Sequence, residues 1–373
     1  MNLSTKKIGN IFTWNTLALV VIGILCLLSA SMILAKTEFN DPYYYVKQQL
    51  VKGVLIGVIG FLVTFFIPYK VYKKLSPLIF VLAIILLILL FTPLGLEING
   101  ARRWLDLGFI SFQPNEILKI AFIMYLSFWL SQKTPKEKNS FGTVIAFIVF
   151  LGLVGFLMIS QPATSAFFIL AATAFIIYFL SGIKIHYLFL TILIIGILLV
   201  GSFLGLKKFY PDDYRLVRIS SFLNSEQNMD VLGKDYQVNQ SIVAIGSGGL
   251  SGVGFGNAVS KYNNYLPEPI GDSIFAIIAQ EFGLLGSVGL ILMYLGLLIE
   301  GFQISKSCSD EFGKLLSFGI VVLPFIQMVV HIGALTKIFP LTGQPLPFIS
   351  YGGTNLAILL TSFGIVVNIS KYS

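Results

Sequence analysis

Residues 265–283 read YLPEPIGDSIFAIIAQEFG and mark an abrupt boundary between a polar loop and an apolar run. The loop ends at Asp272, and the apolar run that follows continues to Ile299. An ionisable side chain at the edge of a membrane-length apolar segment costs free energy to keep there, which makes it a functional candidate. Asp272 is therefore our first candidate catalytic residue.

Composition places the whole chain in a membrane. Of its 373 residues 56% are hydrophobic and 11% are charged, whereas a soluble domain carries about 25% charged residues. A membrane-spanning helix needs about 20 mostly apolar residues. Ten runs approach that length: Trp14–Ala35, Leu50–Ile67, Pro77–Leu94, Pro114–Leu130, Val144–Ile159, Ala166–Leu180, Tyr187–Leu206, Ser273–Ile299, Leu315–Leu335 and Phe348–Ile369. The sequence predicts an all-α integral membrane protein, one polytopic domain over 1–373 with about ten transmembrane helices.

Lysine and arginine predict the orientation. We interpret Trp14–Ala35 as a retained first helix, since it exceeds a signal-peptide core and many spans follow. Loops on the side of the N-terminus hold twelve basic residues: Lys6, Lys7, Lys70, Lys73, Lys74, Lys133, Lys136, Lys138, Lys184, Lys306, Lys314 and Lys371. The opposite short loops hold five: Lys36, Lys47, Arg102, Arg103 and Lys337. The positive-inside rule then places both termini in the cytoplasm and the long loop 207–271 outside.

Several functional classes receive no support from composition. Cys26 and Cys308 are too few for a disulfide framework, and we expect both to be unpaired. His186 and His331 lie far apart and form no metal-ligand cluster, so no cofactor is predicted, although dependence on a divalent cation stays open. The net charge of +8 is best explained by the topology of the loops, and no nucleic-acid partner is predicted.

The first polar constellation spans 99–119, NGARRWLDLGFISFQPNEILK. Arg102 and Arg103 either anchor the chain at the membrane interface beside Trp104 or clamp an anionic ligand, because the arginine fork matches phosphate oxygens. Glu116 and Lys119 share one helix face inside an apolar run. They form either a structural ion pair or part of a polar cavity.

The second constellation lies in the predicted outer loop. Arg215 and Arg218, in YRLVR, present two positive charges on one face if the segment is helical, either to a ligand or to lipid headgroups. Glycines recur through IGSGGLSGVGFGN, residues 245–257, and permit close backbone approach to a ligand. Lys261 follows this stretch, and Glu268 precedes Asp272.

The remaining polar residues flank or enter the last helices. Asp272 stands where a carboxylate also caps a helix, which is the structural alternative to catalysis. Glu281 lies inside the apolar run and needs a partner. Gln327 and His331 are four residues apart, a spacing that commonly joins helices. The segment LTGQPLPFISYGGTN, residues 341–355, bends back into the last helix and carries Ser350.

Together these stretches resemble the SEDS (shape, elongation, division and sporulation) family, of FtsW and RodA type, and more closely FtsW. The resemblance rests on GARRWLDLG, SFQPNEILK, YRLVRISSFLN, the segments YQVNQSIVAIGSGGLSGVGFGN and KYNNYLPEPIGDSIFAIIAQEFG, and PLTGQPLPFISYGGTNL, in family order. It implies a ten-helix glycosyltransferase that polymerises lipid II into peptidoglycan on the outer face of the bacterial cytoplasmic membrane. It also implies a class B penicillin-binding protein as partner, alongside other divisome or elongasome proteins.

The resemblance places the family's essential aspartate on Asp272 and its Ser-Glu-x-x-Lys element on Asn115, Glu116 and Lys119. Four positions depart from the family pattern: Ala163 replaces a usual Asp, Ser273 a Phe, Gln280 the first Glu of a pair, and His331 an Asn. The loss of a carboxylate at Ala163 puts any role of that site in doubt and leaves Asp272 untouched.

The mechanism that we expect needs a base and cations. Asp272, its pKa raised by an apolar surrounding, would take the proton of the acceptor 4-hydroxyl. Six cations are candidates to bind the pyrophosphate or lipid head: Arg102, Arg103, Lys119, Arg215, Arg218 and Lys261. Six residues are assigned supporting or cavity-lining roles: Glu116, Glu268, Glu281, Gln327, His331 and Ser350. A flippase of lipid-linked precursors and a non-catalytic scaffold for a transpeptidase remain alternatives.

Overall fold

A computed structural model describes residues 4–98, 101–106, 108, 111–209, 234–262 and 265–372. Its helices are α1 Thr5–Phe39, α2 Tyr44–Gln49, α3 Ile56–Phe66, α4 Tyr69–Leu89, α5 Pro114–Ser131, α6 Pro135–Lys138, α7 Phe141–Ile159, α8 Thr164–Leu180, α9 Ile185–Phe209, α10 Lys234–Ser247, α11 Ile274–Ser307, α12 Glu311–Leu335 and α13 Gly353–Lys371. A π-helical segment, Leu50–Leu55, joins α2 to α3 without a break.

The predicted helical membrane class is confirmed, and each of the ten apolar runs overlaps a long helix. Seven helices in the described ranges are long and apolar enough to cross a membrane: α1, the continuous Tyr44–Phe66, α4, α7, α11, α12 and α13. Two further apolar helices are shorter, Thr164–Leu180 and Ile185–Leu198. The number of ten crossings stays a prediction.

Helices α12 and α13 form the centre of the bundle, since they are the most buried of the membrane-length helices. α3 packs along α13, while α5 and α8 pack on α12 and α1 contacts both α11 and α13. The close approach of α3 to α13 depends on Gly57, where an added Cβ would lie 2.7 Å from the Leu360 side chain. Inside a membrane no hydrophobic force drives helices together, so their association depends on close packing. Small residues permit that packing because they let the two backbones approach each other.

One end of the bundle brings together segments that we predict to be cytoplasmic. Lys73 at the start of α4 forms an ion pair of 2.9 Å with Asp310, the N-cap of α12. Lys138 forms another with Glu311. The Tyr69 amide donates to the Asn368 side chain near the end of α13, at 2.9 Å. These contacts agree with the predicted topology, in which all these segments share one side.

The opposite end carries a small antiparallel sheet that the sequence analysis did not predict. Its strands are β1 Gly95–Ile98, β2 Ala101–Asp106 and β3 Ser111–Phe112, in the order β1-β2-β3. The sheet connects α4 to α5 and places the two adjacent arginines on β2. The two arginines make different contacts, Arg102 with Glu97 and Arg103 with the carbonyls of Gln161 and Pro162, so they do not form one clamp in this structure.

The glycine-rich segment contacts α11 through part of its backbone, and its predicted approach to a ligand stays a prediction. Gly248 and Gly252 pack against the α11 backbone, whereas Gly246, Gly249 and Gly254 remain exposed. The amides of Val253 and Gly254 donate to the carbonyls of Gln280 and Glu281, both at 3.0 Å. The two accepting carbonyls come just before Gly283, whose φ of 64° interrupts the helical conformation within α11. Backbone groups near a helix break inside a membrane protein must find such internal partners.

Three element boundaries also differ from the prediction. Pro77, the first residue of a predicted apolar run, lies inside α4, which begins at Tyr69. α13 begins at Gly353, five residues after the predicted Phe348. The predicted outer loop 207–271 is partly helical, because α9 continues to Phe209 and α10 follows within the described residues.

Candidate functional site

Asp272 lies in a tight turn directly before α11. The amides of Gly271 and Ser273 both donate to the Glu268 carbonyl, at 3.2 and 3.1 Å, and close the turn. The Ser273 hydroxyl donates to the Pro267 carbonyl at 2.7 Å and accepts from Gln237 at 3.0 Å. Ser273 occupies the N-cap position of α11. Asp272 therefore lies one residue before the N-cap position.

The segment between α12 and α13 is fixed over this turn. The Ser350 hydroxyl donates to the Gly271 carbonyl at 2.8 Å, and the Tyr351 amide donates to the Ile270 carbonyl at 2.9 Å. Gly343 belongs to the same segment and has a φ of +61°. A Cβ added at this glycine would lie 3.4 Å from an Asp272 carboxylate oxygen. The Asp272 carboxylate thus lies against the backbone of this segment.

Two side chains of α12 hold the same segment from below. Gln327 donates to the Pro345 carbonyl at 2.8 Å. His331 Nδ1 lies 2.7 Å from the Gln344 carbonyl, and because a carbonyl only accepts, Nδ1 carries the proton. The sequence interpretation of this pair as a joint between segments is consistent with these contacts, although the partner is a loop and not a helix.

Aromatic side chains flank this loop on its outer side. The Tyr351 ring contacts the Tyr45 ring edge to face, with centroids 5.1 Å apart, and Tyr45 contacts Phe39 in the same way at 5.7 Å. Burial and, to a smaller extent, the neighbouring Tyr44 raise the pKa of the Tyr351 hydroxyl. Tyr351 is therefore neutral at physiological pH and contributes packing and not charge.

A cavity of about 120 Å³ opens beside this segment. It is lined by the 342–345 backbone and side chains, by Arg103, and by Gln113, Asn115, Glu116, Pro162, Ala163, Ser165 and Ala166. The cavity thus joins three stretches that the sequence analysis singled out separately: Arg103 on β2, the start of α5, and the Gln-Pro-Ala turn before α8. Gly343, which touches Asp272, also lines it.

Arg103 is the predicted cation that lines this cavity among the residues the structure describes. Its guanidinium donates to the backbone carbonyls of Gln161 and Pro162, so its position is fixed by the turn that carries Ala163. Arg102 lies elsewhere, in an exposed ion pair of 3.2 Å with Glu97. An exposed pair of this kind contributes little to stability.

Glu116 and Lys119 form a buried ion pair, as one of the two sequence interpretations predicts. Their charged atoms are 2.9 Å apart, and the Lys119 side chain is 2% exposed. The Asn355 amide donates to the other Glu116 oxygen at 2.6 Å and ties α5 to α13. Glu116 also reaches the cavity, whereas Lys119 does not belong to its lining. Lys119 therefore influences the cavity through Glu116.

Lys261 is buried in a second ion pair, away from this cavity. Its ammonium lies 3.0 Å from a Glu281 carboxylate oxygen, with side chains 4% and 1% exposed. The Ser29 hydroxyl donates to the same oxygen at 2.6 Å and so connects α1 to α11. Glu281 thus has the partner that its place in an apolar run demands. The arrangement gives Lys261 a structural contact in place of the exposed position that a ligand role requires.

The other predicted site residues are not brought together. Glu268 is exposed in the turn before Asp272. Arg215 and Arg218 lie outside the described residues, so their predicted ligand role stays a prediction. In the part of the chain that the structure describes, no group of three or more metal-binding side chains is close enough to hold an ion.

Sequence reasoning missed the residues that connect the site to distant helices. Gln49 accepts from the Gly352 amide at 3.0 Å and so fixes the start of α13. Gln161 accepts from Asn115 at 3.3 Å and donates to the Leu87 carbonyl at 3.2 Å. Each is a polar residue beside the end of an apolar run, which is the signal that was available. Its partner lies too far along the chain for any periodicity to indicate.

Comparison with known proteins agrees with this architecture. The family model described as "Cell cycle protein" (FtsW, RodA, SpoVE) matches residues 10–373. Stage V sporulation protein E of Bacillus subtilis is 36% identical over 96% of this chain and 95% of its own length. A probable peptidoglycan glycosyltransferase FtsW of Trichlorobacter lovleyi is also 36% identical, covering 95% and 90%. Peptidoglycan glycosyltransferase MrdB of Escherichia coli K12 is 34% identical, covering 86% and 84%.

Solved structures share the same fold. A chain from "Structural coordination of polymerization and crosslinking by a peptidoglycan synthase complex" is 25% identical, covers 96% of both chains and has a TM-score of 0.77. The Thermus thermophilus rod shape determining protein RodA superposes with a TM-score of 0.68 at 23% identity, over 96% of this chain and 95% of that one. Fold and site together define a multi-pass membrane protein with a polar site at one end of the bundle. The chain belongs to the FtsW, RodA and SpoVE family.

Proposed function

We propose that this protein is a peptidoglycan glycosyltransferase that polymerises lipid II into β-1,4 glycan strands on the outer face of the cytoplasmic membrane. Its family membership supports the activity, because relatives with 34–36% identity carry that name. The substrate, the membrane face and the roles of individual residues are our inference. The nearly equal identities to a sporulation, a division-type and an MrdB relative leave the biological branch open.

One observation carries the assignment of the site. The Asp272 carboxylate lies against Gly343, which in turn lines a cavity that contains the Arg103 guanidinium and the Glu116 carboxylate. A cation thus lines a polar cavity at the predicted outer end of the bundle, and the proposed base lies next to that cavity, behind Gly343. Glycosyl transfer from a lipid pyrophosphate needs this combination, since one group accepts a proton while another stabilises the anionic leaving group.

The reaction proceeds in one displacement in our proposal. Asp272 accepts the proton of the 4-hydroxyl on the acceptor N-acetylglucosamine, and that oxygen attacks the anomeric carbon of the donor. The bond from this carbon to the lipid pyrophosphate breaks, which inverts the α-linked donor to a β-linked product. Arg103 stabilises the departing pyrophosphate, while Arg102, Arg215 and Arg218 contact lipid headgroups or the leaving group.

The remaining buried charged residues have structural roles in our proposal. Glu116 and Lys119 hold α5 in place and set the charge of the cavity wall. Lys261 and Glu281 stabilise the packing of α1 on α11. We further propose that a class B penicillin-binding protein binds this chain, because a structural relative comes from a complex that coordinates polymerisation with crosslinking. From the distribution of lysine and arginine we also propose that both termini lie in the cytoplasm.

The test is to purify the full chain with its transpeptidase partner and to supply labelled lipid II to wild type and to Asp272→Asn. The isosteric change removes the base and should lower glycan formation about a hundredfold or more, the usual scale for losing a general base. Asp106→Asn is the matched control. Asp106 also lies at the outer end, where its side chain accepts from the Gly108 amide at 2.9 Å, a bond that Asn preserves.

Each outcome of this experiment has a distinct meaning. Strands from wild type and Asp106→Asn, with almost none from Asp272→Asn, would support the assignment. Undiminished polymerisation by Asp272→Asn would contradict the proposed base. If wild type and both variants made no strands while labelled lipid II crossed the bilayer of reconstituted vesicles, a flippase would replace the polymerase as the proposed function.

A further inference from the structure

A second cavity lies at the opposite end of the bundle from the candidate site. Its volume is about 230 Å³, and it is lined by Leu180, Phe302, Ser305, Lys306, Lys314 and Leu315. These residues come from the end of α8, the end of α11 and the start of α12. The cavity therefore opens at the ends of three apolar helices, on the side that we predict to be cytoplasmic.

The walls of this cavity are apolar. Leu180, Phe302 and Leu315 supply them, and the Phe302 side chain remains 47% exposed. The Ser305 hydroxyl is turned away into a hydrogen bond of 2.7 Å with the Lys314 carbonyl. A hydrocarbon chain therefore meets no unsatisfied hydroxyl on this wall.

Two lysines flank these walls, and their charges are not neutralised by neighbours. Lys306 and Lys314 are exposed, and neither ammonium has an ion-pair partner in the described ranges. The nearest carboxylates on α12 are already paired, Asp310 with Lys73 and Glu311 with Lys138. The result is an apolar recess with a local excess of positive charge at its rim.

We propose that this cavity binds an anionic phospholipid of the adjacent leaflet. Lys306 and Lys314 would contact the phosphate, while part of an acyl chain packs against Leu180, Phe302 and Leu315. Basic pockets between transmembrane helices on the cytoplasmic side are suited to anionic headgroups, because unpaired ammonium groups complement the phosphate. A free phosphate ion offers the same charge but leaves the apolar walls uncovered, so we commit to the lipid. This inference does not depend on the glycosyltransferase assignment.

Native mass spectrometry of the purified full chain, titrated with phosphatidylglycerol and with phosphatidylcholine, tests the proposal. Lys306→Gln combined with Lys314→Gln removes both charges and should weaken phosphatidylglycerol binding by roughly ten- to thirtyfold. Lys70→Gln combined with Lys74→Gln is the matched control, since these exposed lysines lie on the same side but outside the cavity. The control should bind as wild type does.

A second variant tests the cavity separately from its charges. Leu180→Trp fills the recess and keeps both lysines, and it should also weaken phosphatidylglycerol binding. Thermal unfolding of each variant establishes that the fold is retained. The proposal is supported if both cavity variants lose affinity and the control does not.

Three outcomes would overturn it. Equal losses in the cavity and control lysine variants would attribute binding to overall charge. Equal affinity for phosphatidylcholine and phosphatidylglycerol would remove the role of the lysines. Displacement of phosphatidylglycerol by inorganic phosphate at similar concentration, with Leu180→Trp unaffected, would indicate a phosphate site instead of a lipid site.

Discussion

The Ser350 hydroxyl donates a hydrogen bond of 2.8 Å to the carbonyl of Gly271, the residue directly before Asp272. The same hydroxyl accepts from the Leu346 amide at 2.8 Å. One side chain therefore joins the loop before the last helix to the turn that carries the candidate base. Two segments almost 80 positions apart in sequence are held in one geometry by this contact.

Ser350→Ala should impair polymerisation more than stability. Loss of the hydroxyl leaves the Leu346 amide and the Gly271 carbonyl without this partner, at a cost of about 1–3 kcal/mol. Asp272 then shifts relative to the cavity, and we expect glycan formation to fall about tenfold or more, because small misplacements of catalytic groups have large effects on rate. Strand formation from labelled lipid II and thermal unfolding measure the two effects.

Ser317→Ala is the control for this experiment. Ser317 is also buried, but its hydroxyl donates to the Gly313 carbonyl within its own helix, far from the site. It should lose some stability and keep its activity. Equal activity losses in the two variants would show that the Ser350 contact has no special role.

His331 offers a test of the support beneath the same loop. His331→Ala removes the donor to the Gln344 carbonyl and should lower polymerisation while leaving the bundle folded. His331→Asn restores a donor, and it also restores the residue that the SEDS resemblance leads us to expect at this position. We therefore expect partial recovery in the Asn variant, measured as the initial rate of strand formation. Identical rates in the Ala and Asn variants would contradict a hydrogen-bonding role for His331.

The glycine-rich segment gives a prediction about stability that separates backbone strain from steric clash. Gly252 and Gly256 both have positive φ, +79° and +82°, so Ala strains the backbone at each by about 1–3 kcal/mol. A Cβ on Gly252 would also lie 2.1 Å from the Glu281 carbonyl oxygen, whereas one on Gly256 meets nothing within 4 Å. We expect Gly256→Ala to lower the melting temperature slightly and Gly252→Ala to prevent a monodisperse preparation. Similar melting temperatures would contradict the tight packing of this segment on α11.

The sequence predicted the helices well because each apolar run is long enough to define one by itself. It predicted their ends less well, since those depend on contacts made elsewhere. Phe348–Gly352 reads as the start of the last helix, yet Gln49 and Gly271 hold part of this stretch as a loop through hydrogen bonds over long sequence distances. The small sheet was missed because its strands are short and contain adjacent charges.

The candidate site was likewise predictable from the sequence only in part. Asp272, Arg103 and Glu116 were identifiable as charged residues at the ends of apolar runs. The cavity that Arg103 and Glu116 line, next to Asp272, was not, because no spacing in the sequence relates β2, α5 and the 342–345 backbone. The buried partners were also beyond reach, as Asn355 is 239 positions from Glu116. For this reason Lys119 and Lys261 looked like ligands for a substrate, although the structure pairs each with a carboxylate.

The pairing of Lys261 with Glu281 predicts the outcome of a double substitution. Removing one partner of a buried pair leaves an uncompensated charge and costs about 3–5 kcal/mol, whereas removing both is often nearly neutral. Lys261→Met and Glu281→Gln should each lower the melting temperature markedly, and their combination should recover most of it. Gln at 281 keeps an acceptor for the Ser29 hydroxyl. We expect the double variant to polymerise lipid II at a rate close to that of wild type. A double variant that is as stable as wild type but forms no strands would instead assign Lys261 to the pyrophosphate, and the ion pair would then have to open during the reaction.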